Sequence, residues 1–266
     1  KDLMKYYKKI YFLLIMGLVL SCANDDNTNP EEVIKSANLL ATGASANDIL
    51  SNTSFTKLHV ELAYVVGFRP TDQTISNLET FLNERTFKNE IEINIRPLNS
   101  PEEESLTITE IVELESENRT EYNFDDTLAI YIYFADAPSD GDEPDEGIVT
   151  LGASYRNTSM VIHEVTLREF ATRSSLISLT DIESATLMHE FGHLFGLVDL
   201  GTTPVNNHVD PDSPSHCNEE VCLMRAELEF GIGMMGLLEK SRQAKGAPIP
   251  GLDAECILDL QNNGGK

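Results

Sequence analysis

Two histidines and a glutamate stand close together in the segment His189-Glu190-Phe191-Gly192-His193. Residues four apart lie on the same face of a helix, so the imidazoles of His189 and His193 can bind one zinc ion. Glu190 follows the first histidine and can take a proton from the water that zinc activates, without binding the metal itself. The spacing therefore predicts a helix that carries one catalytic zinc site, with two histidine ligands and a glutamate as general base.

A catalytic zinc ion needs a third protein ligand in addition to water. Gly196 can end the helix in a left-handed turn, which glycine adopts more readily than other residues. Asp199 is the first ligand-type residue after that turn, so we expect it to be the third ligand. The alternative is His208, whose loop could fold back over the cleft. His216 lies in the same loop and stays a further candidate.

The pattern H-E-x-x-H-x-x-G-x-x-D over residues 189–199 resembles the metzincin clan of zinc peptidases, and its aspartate resembles the snapalysin-type variant. The resemblance implies a zinc endopeptidase with a twisted sheet ahead of the zinc helix. It also implies a methionine turn beneath the zinc, which we place at Met224, with Met234 and Met235 as alternatives. In the gluzincin clan the third ligand is a glutamate on a later helix, and Glu227 is the candidate for that arrangement.

Three segments ahead of the zinc helix have the residue pattern of strands, namely residues 57–66, 90–98 and 127–134. Two segments with helical spacing separate them, residues 71–85 and 106–117. The third strand is the most apolar, and we expect it at the centre of the sheet. The β-α-β-α-β order predicts right-handed crossovers and an α/β fold with a largely parallel sheet.

Two further segments, residues 147–154 and 159–164, are expected to be strands, and His163 is expected on the strand surface. In the resembled fold an antiparallel edge strand in this region binds extended substrate by main-chain pairing, and either segment could be that strand. The expected fold class is thus α/β (α+β, zincin-like). It has a twisted, mostly parallel sheet with an antiparallel edge strand, the zinc helix, and a smaller loop-rich C-terminal subdomain.

The zinc helix is expected over residues 181–197, because Thr180 and Glu183 fit a capping box that opens a helix. Residues 200–224 are rich in Gly, Pro, Asn and Asp and predict a long loop. Residues 252–261 have the apolar spacing of a closing helix.

An acidic loop over residues 136–146 follows the third predicted strand. Clustered carboxylates on a turn suit Ca²⁺, and some metzincins bind calcium near this position. The ordered spacing of an EF-hand is absent, so we favour a solvated acidic loop and keep a calcium site as the alternative.

The N-terminal region predicts export and a lipid anchor. Lysines at positions 5, 8 and 9 precede an apolar run over residues 10–20. A membrane span needs about 20 apolar residues, so this run is typical of a signal peptide instead. Val19-Leu20-Ser21-Cys22 resembles a bacterial lipobox, so we expect a signal peptide over residues 1–21 and lipidation of Cys22. The alternative is an ordinary signal peptide with a cysteine near its cleavage site.

The predicted domain organisation follows from this anchor. Residues 22–32 contain the lipidated cysteine and a polar, acidic tether, and residues 33–266 form the metallopeptidase domain, divided into subdomains at 33–199 and 200–266. The acidic residues of the tether also resemble surface-export signals of Gram-negative lipoproteins. The expected location is the bacterial outer membrane, with the cell surface as a further expectation.

The net charge excludes two classes of partner. The chain has 19 Lys and Arg residues against 44 Asp and Glu residues, a formal charge of −25. Such a chain repels nucleic acid and anionic lipid, so membrane attachment is expected to depend on acyl chains and not on a basic patch. The expected partners are a protein or peptide substrate and the membrane that holds the anchor.

Three cysteines remain after Cys22, namely Cys217, Cys222 and Cys256. An exported protein can keep disulfides, so we expect one disulfide involving Cys222, with one thiol left over. Zinc ligation by these cysteines is the alternative.

We therefore expect a membrane-tethered zinc endopeptidase in which Glu190 is the general base. The enzymatic alternatives are an exopeptidase and a gluzincin-type peptidase. The non-enzymatic alternative is a surface binding or adhesion lipoprotein whose zinc is structural.

Overall fold

The computed structural model of the chain describes residues 35–231 and 233–266. The signal peptide predicted over residues 1–21, the lipidation site at Cys22 and the tether predicted over residues 22–32 lie outside the described residues. None of the helices in the described part combines the length and the apolar composition that a membrane crossing needs.

The sheet consists of the strands β1 (Lys57–Val65), β2 (Glu90–Leu98), β3 (Thr127–Phe134), β4 (Gly152–Arg156) and β5 (Ser159–Ile162). Their order across the sheet is β2-β1-β3-β5-β4. β1 pairs in parallel with β2 and β3, and β3 pairs in parallel with β5, whereas β4 pairs antiparallel with β5. This confirms the predicted α/β fold with a mostly parallel sheet, and it identifies β4 as the antiparallel edge strand.

β3 lies in the middle of the sheet, as its sequence predicts. Every residue from Leu128 to Phe134 is buried. A parallel sheet that is covered on both faces requires apolar side chains on both faces of its central strand. The continuous apolar run of β3 therefore determines its position.

The chain also forms the helices α1 (Ala46–Leu50), α2 (Asp72–Arg85), α3 (Ile108–Asn118), α4 (Glu164–Ala171), α5 (Leu179–Leu194), α6 (Glu227–Phe230), α7 (Met234–Lys245) and α8 (Ala254–Asn262). α2, α3 and α8 confirm the helices predicted from apolar spacing, to within a few residues at their ends. Thr71 is the N-cap of α2, as predicted, and accepts a hydrogen bond from the backbone N–H of Thr74.

α4 begins where the sequence predicts the end of a strand. β5 stops at Ile162, and His163 is the N-cap of α4. His163 is therefore buried, contrary to its expected place on a strand surface, and its Nδ1 lies 2.9 Å from the carbonyl oxygen of Ala137. Burial lowers the pKa of His163, so the imidazole is neutral at pH 7.

The predicted zinc helix is α5, and its capping box differs from the one expected. Ser178 Oγ accepts from the backbone N–H of Asp181 at 3.2 Å, and Asp181 Oδ2 accepts from the backbone N–H of Ser178 at 2.8 Å. The expected cap glutamate, Glu183, is buried and accepts hydrogen bonds from Thr71, the N-cap of α2, and from Thr74 within α2. The helix starts earlier than predicted because the serine, not Thr180, supplies the cap.

α5 is buried on all sides from Ile182 to Leu194, and it packs against α2, α4 and β4. It ends at Leu194, before the predicted end at residue 197, and Gly196 follows with φ +74°. A Cβ at position 196 would lie 2.6 Å from Thr202 Oγ1 and 2.9 Å from Ala46 Cβ. Both the backbone angle and the space require glycine at this turn.

Within the described residues, the segment 195–226 contains no helix or strand element, which agrees with the long loop predicted over residues 200–224. Backbone hydrogen bonds organise this loop, among them Cys217 N–H to Met224 O at 2.7 Å. The short helix α6 and the helices α7 and α8 follow it. The division into subdomains at residue 199 remains a prediction.

Candidate metal centre

His189 and His193 lie side by side on α5, as their spacing predicts. Their Nε2 atoms are 3.1 Å apart, and both side chains are buried. The Nδ1 atom of His189 lies 2.8 Å from the carbonyl oxygen of Leu223. A proton on Nδ1 that is donated to this carbonyl leaves Nε2 as the free nitrogen, which faces the second histidine.

His216 brings a third imidazole to the same place. Its ring stacks on that of His189 with centroids 5.3 Å apart, and it meets the ring of His193 edge to face at 5.2 Å. Its Nδ1 lies 3.0 Å from the carbonyl oxygen of Pro214, so Nε2 is again the free nitrogen. Burial lowers the pKa of His193 to about 4, so that imidazole is neutral at pH 7 and available as a metal ligand.

Glu229 of α6 completes the cluster. Its Oε2 lies 2.7 Å from Nε2 of His216, 3.4 Å from that of His193 and 3.9 Å from that of His189. Burial acts to raise the pKa of Glu229, but its contacts with the three imidazoles outweigh this effect and hold the pKa well below its usual range. The carboxylate is therefore ionised. The four ligand atoms lie within 4.8 Å of one another.

The structure does not bring Asp199, the expected third ligand, to this cluster. Val198 and Asp199 follow the end of α5 with φ +56° and +64°, and Asp199 is exposed. The turn therefore directs the chain away from the histidines, and the long loop returns to them only at His216. His208 belongs to a different cluster. Glu227 pairs with Arg225 and lies outside the metal centre.

Glu190 lies beside the histidines and is fully buried. Ser154 Oγ lies 3.0 Å from Glu190 Oε2 and 2.9 Å from its backbone oxygen, while Oε1 has no hydrogen-bond partner among the described residues. Burial, and then the charge of Glu229, raise the pKa of Glu190 well above its usual value. β4 approaches so closely that a Cβ on Gly152 would lie 3.1 Å from Oε1.

Met224, the predicted methionine of the turn, is fully buried against the zinc helix. A Cβ on Gly192 would overlap the Sδ atom of Met224, so the thioether contacts α5 between the two histidines. The preceding residue, Leu223, accepts the hydrogen bond from His189. This placement of Met224 agrees with the predicted methionine turn. That the turn is a metzincin feature remains a prediction.

A cleft of about 440 Å³ opens over the cluster. It is lined by Ala153 and Ser154 of β4, by Phe230, and by three members of the cluster, His193, His216 and Glu229. The edge strand thus borders the metal centre.

The calcium site that was the alternative for the acidic loop finds no support. Among the described residues, two groups of side chains could hold a metal ion, and neither includes a residue of 136–146. Asp142 of this loop accepts a hydrogen bond from the backbone N–H of Thr150 at 2.7 Å, so it serves the local fold.

The disulfide predicted for Cys222 is not formed. Cys217, Cys222 and Cys256 are buried and free. The sulfur atoms of Cys222 and Cys256 are 3.6 Å apart, whereas a disulfide bond is about 2.05 Å long. The second group that could hold a metal ion consists of His208, Cys217, Asp253 and Cys256.

The sequence identified the two candidate ligands on the helix and Glu190, and it kept His216 only as an open alternative. A signal for His216 was present, since it directly precedes Cys217 in a run that also holds Cys222 and Met224. Glu229 was missed because a single glutamate does not stand out in a chain with 44 acidic residues.

No protein-family model matches the sequence, and no curated protein matches it. The crystal structure of archaemetzincin from Methanopyrus kandleri is similar at 16% identity and a TM-score of 0.46, over 79% of this chain and 96% of that one. The structure of metalloproteinase-II from Bacteroides fragilis is similar at 14% identity and a TM-score of 0.34, over 80% of this chain and 56% of that one. Both TM-scores are below 0.5, so the function proposed below depends on the residues of this chain.

Proposed function

We propose that the protein is a zinc-dependent endopeptidase. The observation that carries the proposal is the convergence of three buried imidazoles, from His189, His193 and His216, beside the buried carboxylate of Glu190. The Nδ1 atoms of His189 and His216 face backbone carbonyls, so their Nε2 lone pairs are free to bind a metal. Three histidine nitrogens suit zinc, and His216 takes the place expected for Asp199.

Zinc, when bound, would supply a Lewis acid that lowers the pKa of water and polarises the scissile carbonyl. Glu190 would take a proton from the attacking water and deliver it to the leaving amine. Ser154 donates a hydrogen bond to one oxygen of Glu190 and leaves the other oxygen free for this transfer. Burial raises the pKa of Glu190, which makes its carboxylate a stronger base for this proton transfer.

The edge position of β4 supports an endopeptidase over an exopeptidase. β4 is the last strand of the described sheet, and its residues border the cleft. An extended peptide that pairs with it would lie beside the metal centre, as the proposed endopeptidase requires. The substrate class we propose is therefore an extended segment of a peptide or protein.

A second function remains a candidate because of Glu229. A structural zinc site has four protein ligands, whereas a catalytic site keeps one position open. The carboxylate of Glu229 lies 2.7 Å from His216 Nε2 and could close the site. A permanently closed site would favour a binding or adhesion protein with structural zinc.

The protein is proposed to act at a bacterial membrane, to which lipidated Cys22 would anchor it. The motif at residues 19–22 supports this location, and the charge of −25 argues against attachment through a basic patch. We expect no nucleic-acid partner on the same electrostatic ground.

Glu190→Gln tests the proposed activity. The variant is expected to keep its zinc and its fold, because Glu190 is not a ligand, and to lose roughly 10²–10⁴-fold in rate with the general base. Zinc content and cleavage of an unbiased peptide library would be measured for the variant and the wild type. Cleavage by the variant within a few-fold of wild type would remove Glu190 from the mechanism, and no cleavage by either would favour the binding protein.

A further inference from the structure

A second cluster of metal-ligand side chains lies at the base of the long loop, apart from the proposed catalytic centre. It contains one imidazole and three thiols, all of them buried. We propose that His208, Cys217, Cys222 and Cys256 bind a second zinc ion, which has a structural role.

Three distances within the cluster are those expected between ligand atoms of one tetrahedral ion. His208 Nδ1 lies 3.4 Å from Cys217 Sγ and 3.8 Å from Cys256 Sγ, and Cys222 Sγ lies 3.6 Å from Cys256 Sγ. Tetrahedral zinc with bonds of about 2.3 Å to sulfur and about 2.0 Å to nitrogen holds its ligand atoms roughly 3.5–3.8 Å apart. Thiols that merely pack as apolar groups have no reason to converge on an imidazole nitrogen at these distances.

The imidazole is oriented for metal binding by a carboxylate. His208 Nε2 lies 2.8 Å from Asp259 Oδ2, and both side chains are buried. A proton on Nε2 that is donated to this carboxylate leaves Nδ1, the nitrogen that faces the sulfurs, free to bind. Asp259 is itself fixed by α8 and by a hydrogen bond from the backbone N–H of Val205 at 2.7 Å.

Backbone amides also point at two of the sulfurs. The N–H of Met224 donates to Cys222 Sγ at 3.3 Å, and the N–H of Glu219 donates to Cys217 Sγ at 3.5 Å. Such bonds stabilise the negative charge of a thiolate, the form in which cysteine binds metal.

Asp253 competes with Cys222 for the fourth position. Its Oδ2 lies 2.9 Å from Cys217 Sγ, and it belongs to the group whose ligand atoms converge within 4.8 Å, whereas Cys222 does not. We favour Cys222 because Asp253 already caps α8 through its Oδ1, which accepts from the N–H of Cys256 at 2.7 Å. Thiolate is also the more common partner of structural zinc.

The second ion would hold the third ligand of the catalytic centre in place. Cys217 directly follows His216, and Cys222 directly precedes Leu223, whose carbonyl orients His189. Cys256 lies on α8, so the ion would join the long loop to the C-terminal helix. A site with four protein ligands has no open position, which agrees with a structural role.

Metal analysis of the full chain tests this proposal. We expect two zinc ions per chain in the wild type and one in Cys256→Ser and in His208→Ala, both of which should also unfold at a lower temperature. Asp253→Asn is the matched control and should keep two ions. The proposal is overturned if folded Cys256→Ser and His208→Ala bind as much zinc as the wild type, or if mass spectrometry finds a disulfide among these cysteines.

A second readout covers the case in which a cysteine variant does not fold. Cobalt(II) bound by thiolates gives an intense near-ultraviolet charge-transfer band, which imidazole and carboxylate ligands do not produce. The wild type loaded with cobalt should show this band, and the double variant His189→Ala/His193→Ala should keep it. Absence of the band in cobalt-loaded wild type would contradict the proposal.

A different observation concerns the first centre and rests on the proposed function. The Nε2 atoms of His189 and His193 are 3.1 Å apart. Oε2 of Glu229 lies 2.7 Å from Nε2 of His216, 3.4 Å from that of His193 and 3.9 Å from that of His189. Ligand atoms around tetrahedral zinc with bonds of about 2.0–2.1 Å are roughly 3.3 Å apart. We infer that Glu229 is the fourth protein ligand in the resting protein and keeps the enzyme latent.

The carboxylate is carried by an element that can withdraw. α6 has four residues, and Gly231 and Gly233 after it both have positive φ. The backbone oxygen of Glu229 accepts a hydrogen bond from Leu151 N–H at 2.7 Å, immediately before β4. A peptide that adds to β4 would meet this contact, so substrate binding and withdrawal of the carboxylate would be coupled.

Glu229→Ala and Glu229→Gln test the inference. Both variants are expected to keep the zinc of this centre on three histidines, with affinity lower by at least about tenfold, and to cleave peptides several-fold faster than the wild type. Their cobalt(II) visible spectrum should shift from that of four protein ligands toward one with an open position. Glu227→Gln on the same helix, whose side chain pairs with Arg225, is the control and should change neither readout.

The possible results distinguish the inference of a fourth ligand from the proposed endopeptidase activity. An unchanged cobalt spectrum in Glu229→Ala, or complete loss of zinc from the centre, would overturn the role of Glu229 as a displaceable ligand. If the spectrum shifts but neither protein cleaves any peptide, the inference of a fourth ligand holds, and the endopeptidase proposal together with latency is wrong.

Discussion

His216 and Asp199 differ in what holds each side chain. His216 is buried, and its ring contacts both helix histidines while Nδ1 faces the carbonyl oxygen of Pro214. Asp199 is exposed at a turn with positive φ. A ligand must be held in its binding geometry before the metal arrives, because the cost of ordering it otherwise lowers the affinity.

The third ligand is therefore predicted to be His216. His216→Ala should lose the zinc of this centre and the peptidase activity together, whereas Asp199→Ala should keep both. Equilibrium dialysis with zinc quantitation on the two variants measures this, with the wild type as reference. Retention of the metal by His216→Ala and its loss from Asp199→Ala would restore the aspartate as ligand.

At the level of elements, the helices α4 and α5 pack against each other, and each contributes one buried glutamate. Glu164 of α4 and Glu183 of α5 are both fully buried, and Glu164 Oε1 pairs with Arg168 Nε at 2.7 Å. Burial, followed by the charge of Glu183, raises the pKa of Glu164 to about 9, against the smaller opposing effect of Arg168. Glu164 is thus protonated in the folded protein at pH 7.

This raised pKa makes the stability depend on pH. Between about pH 4.5 and pH 9 the folded protein keeps a proton on Glu164 that the unfolded chain has released. The free energy of unfolding should therefore fall as pH rises through this range, by up to about 1.4 kcal/mol per pH unit. Glu164→Gln, which stays neutral, should flatten this dependence and raise the stability at pH 8 by at least about 1 kcal/mol.

Urea unfolding at several pH values between 5 and 9 would measure the effect. Glu169→Gln on the same helix is the control, because Glu169 is exposed and pairs with Arg173 at the surface; such a pair is worth at most about 1 kcal/mol. A wild-type pH dependence in Glu164→Gln would show that Glu164 is ionised in the folded protein.

The helices and strands were predictable from the sequence where local residue patterns determine them. Apolar spacing located α2, α3 and α8, and the apolar run of β3 placed that strand at the centre. The start of α5 was predicted wrongly because two overlapping segments fit a capping box, and the choice between them depends on Glu183, which is drawn into contacts with α2. No local pattern contains that long-range contact.

The residues of the candidate site show the same difference between local and long-range determinants. His189 and His193 were predictable because one turn of helix determines their geometry. His216 and Glu229 come from a loop and a short helix whose positions depend on long-range packing. A spacing rule cannot reach them, and the rule favoured the nearer residue, Asp199.

For the whole molecule, attachment to the membrane is predicted to depend on Cys22. Cys22→Ser should move the protein from the detergent phase to the aqueous phase in detergent phase separation, because a chain of charge −25 gains nothing from anionic lipid. Ala23→Ser makes a similar change at the next residue and should leave the partition unchanged. Equal partition of wild type and Cys22→Ser would contradict the lipid anchor.

The two margins of the sheet are chemically unequal. β2 forms one margin and exposes Glu90, Glu92 and Asn94, and Pro97 near its end has no N–H to offer. Charged side chains and proline discourage a foreign strand from annealing to an edge. β4 forms the other margin, where residues 152–154 are small and uncharged. We therefore expect an extended polypeptide to avoid the β2 edge and to pair with β4, where binding would place it directly beside the proposed metal centre.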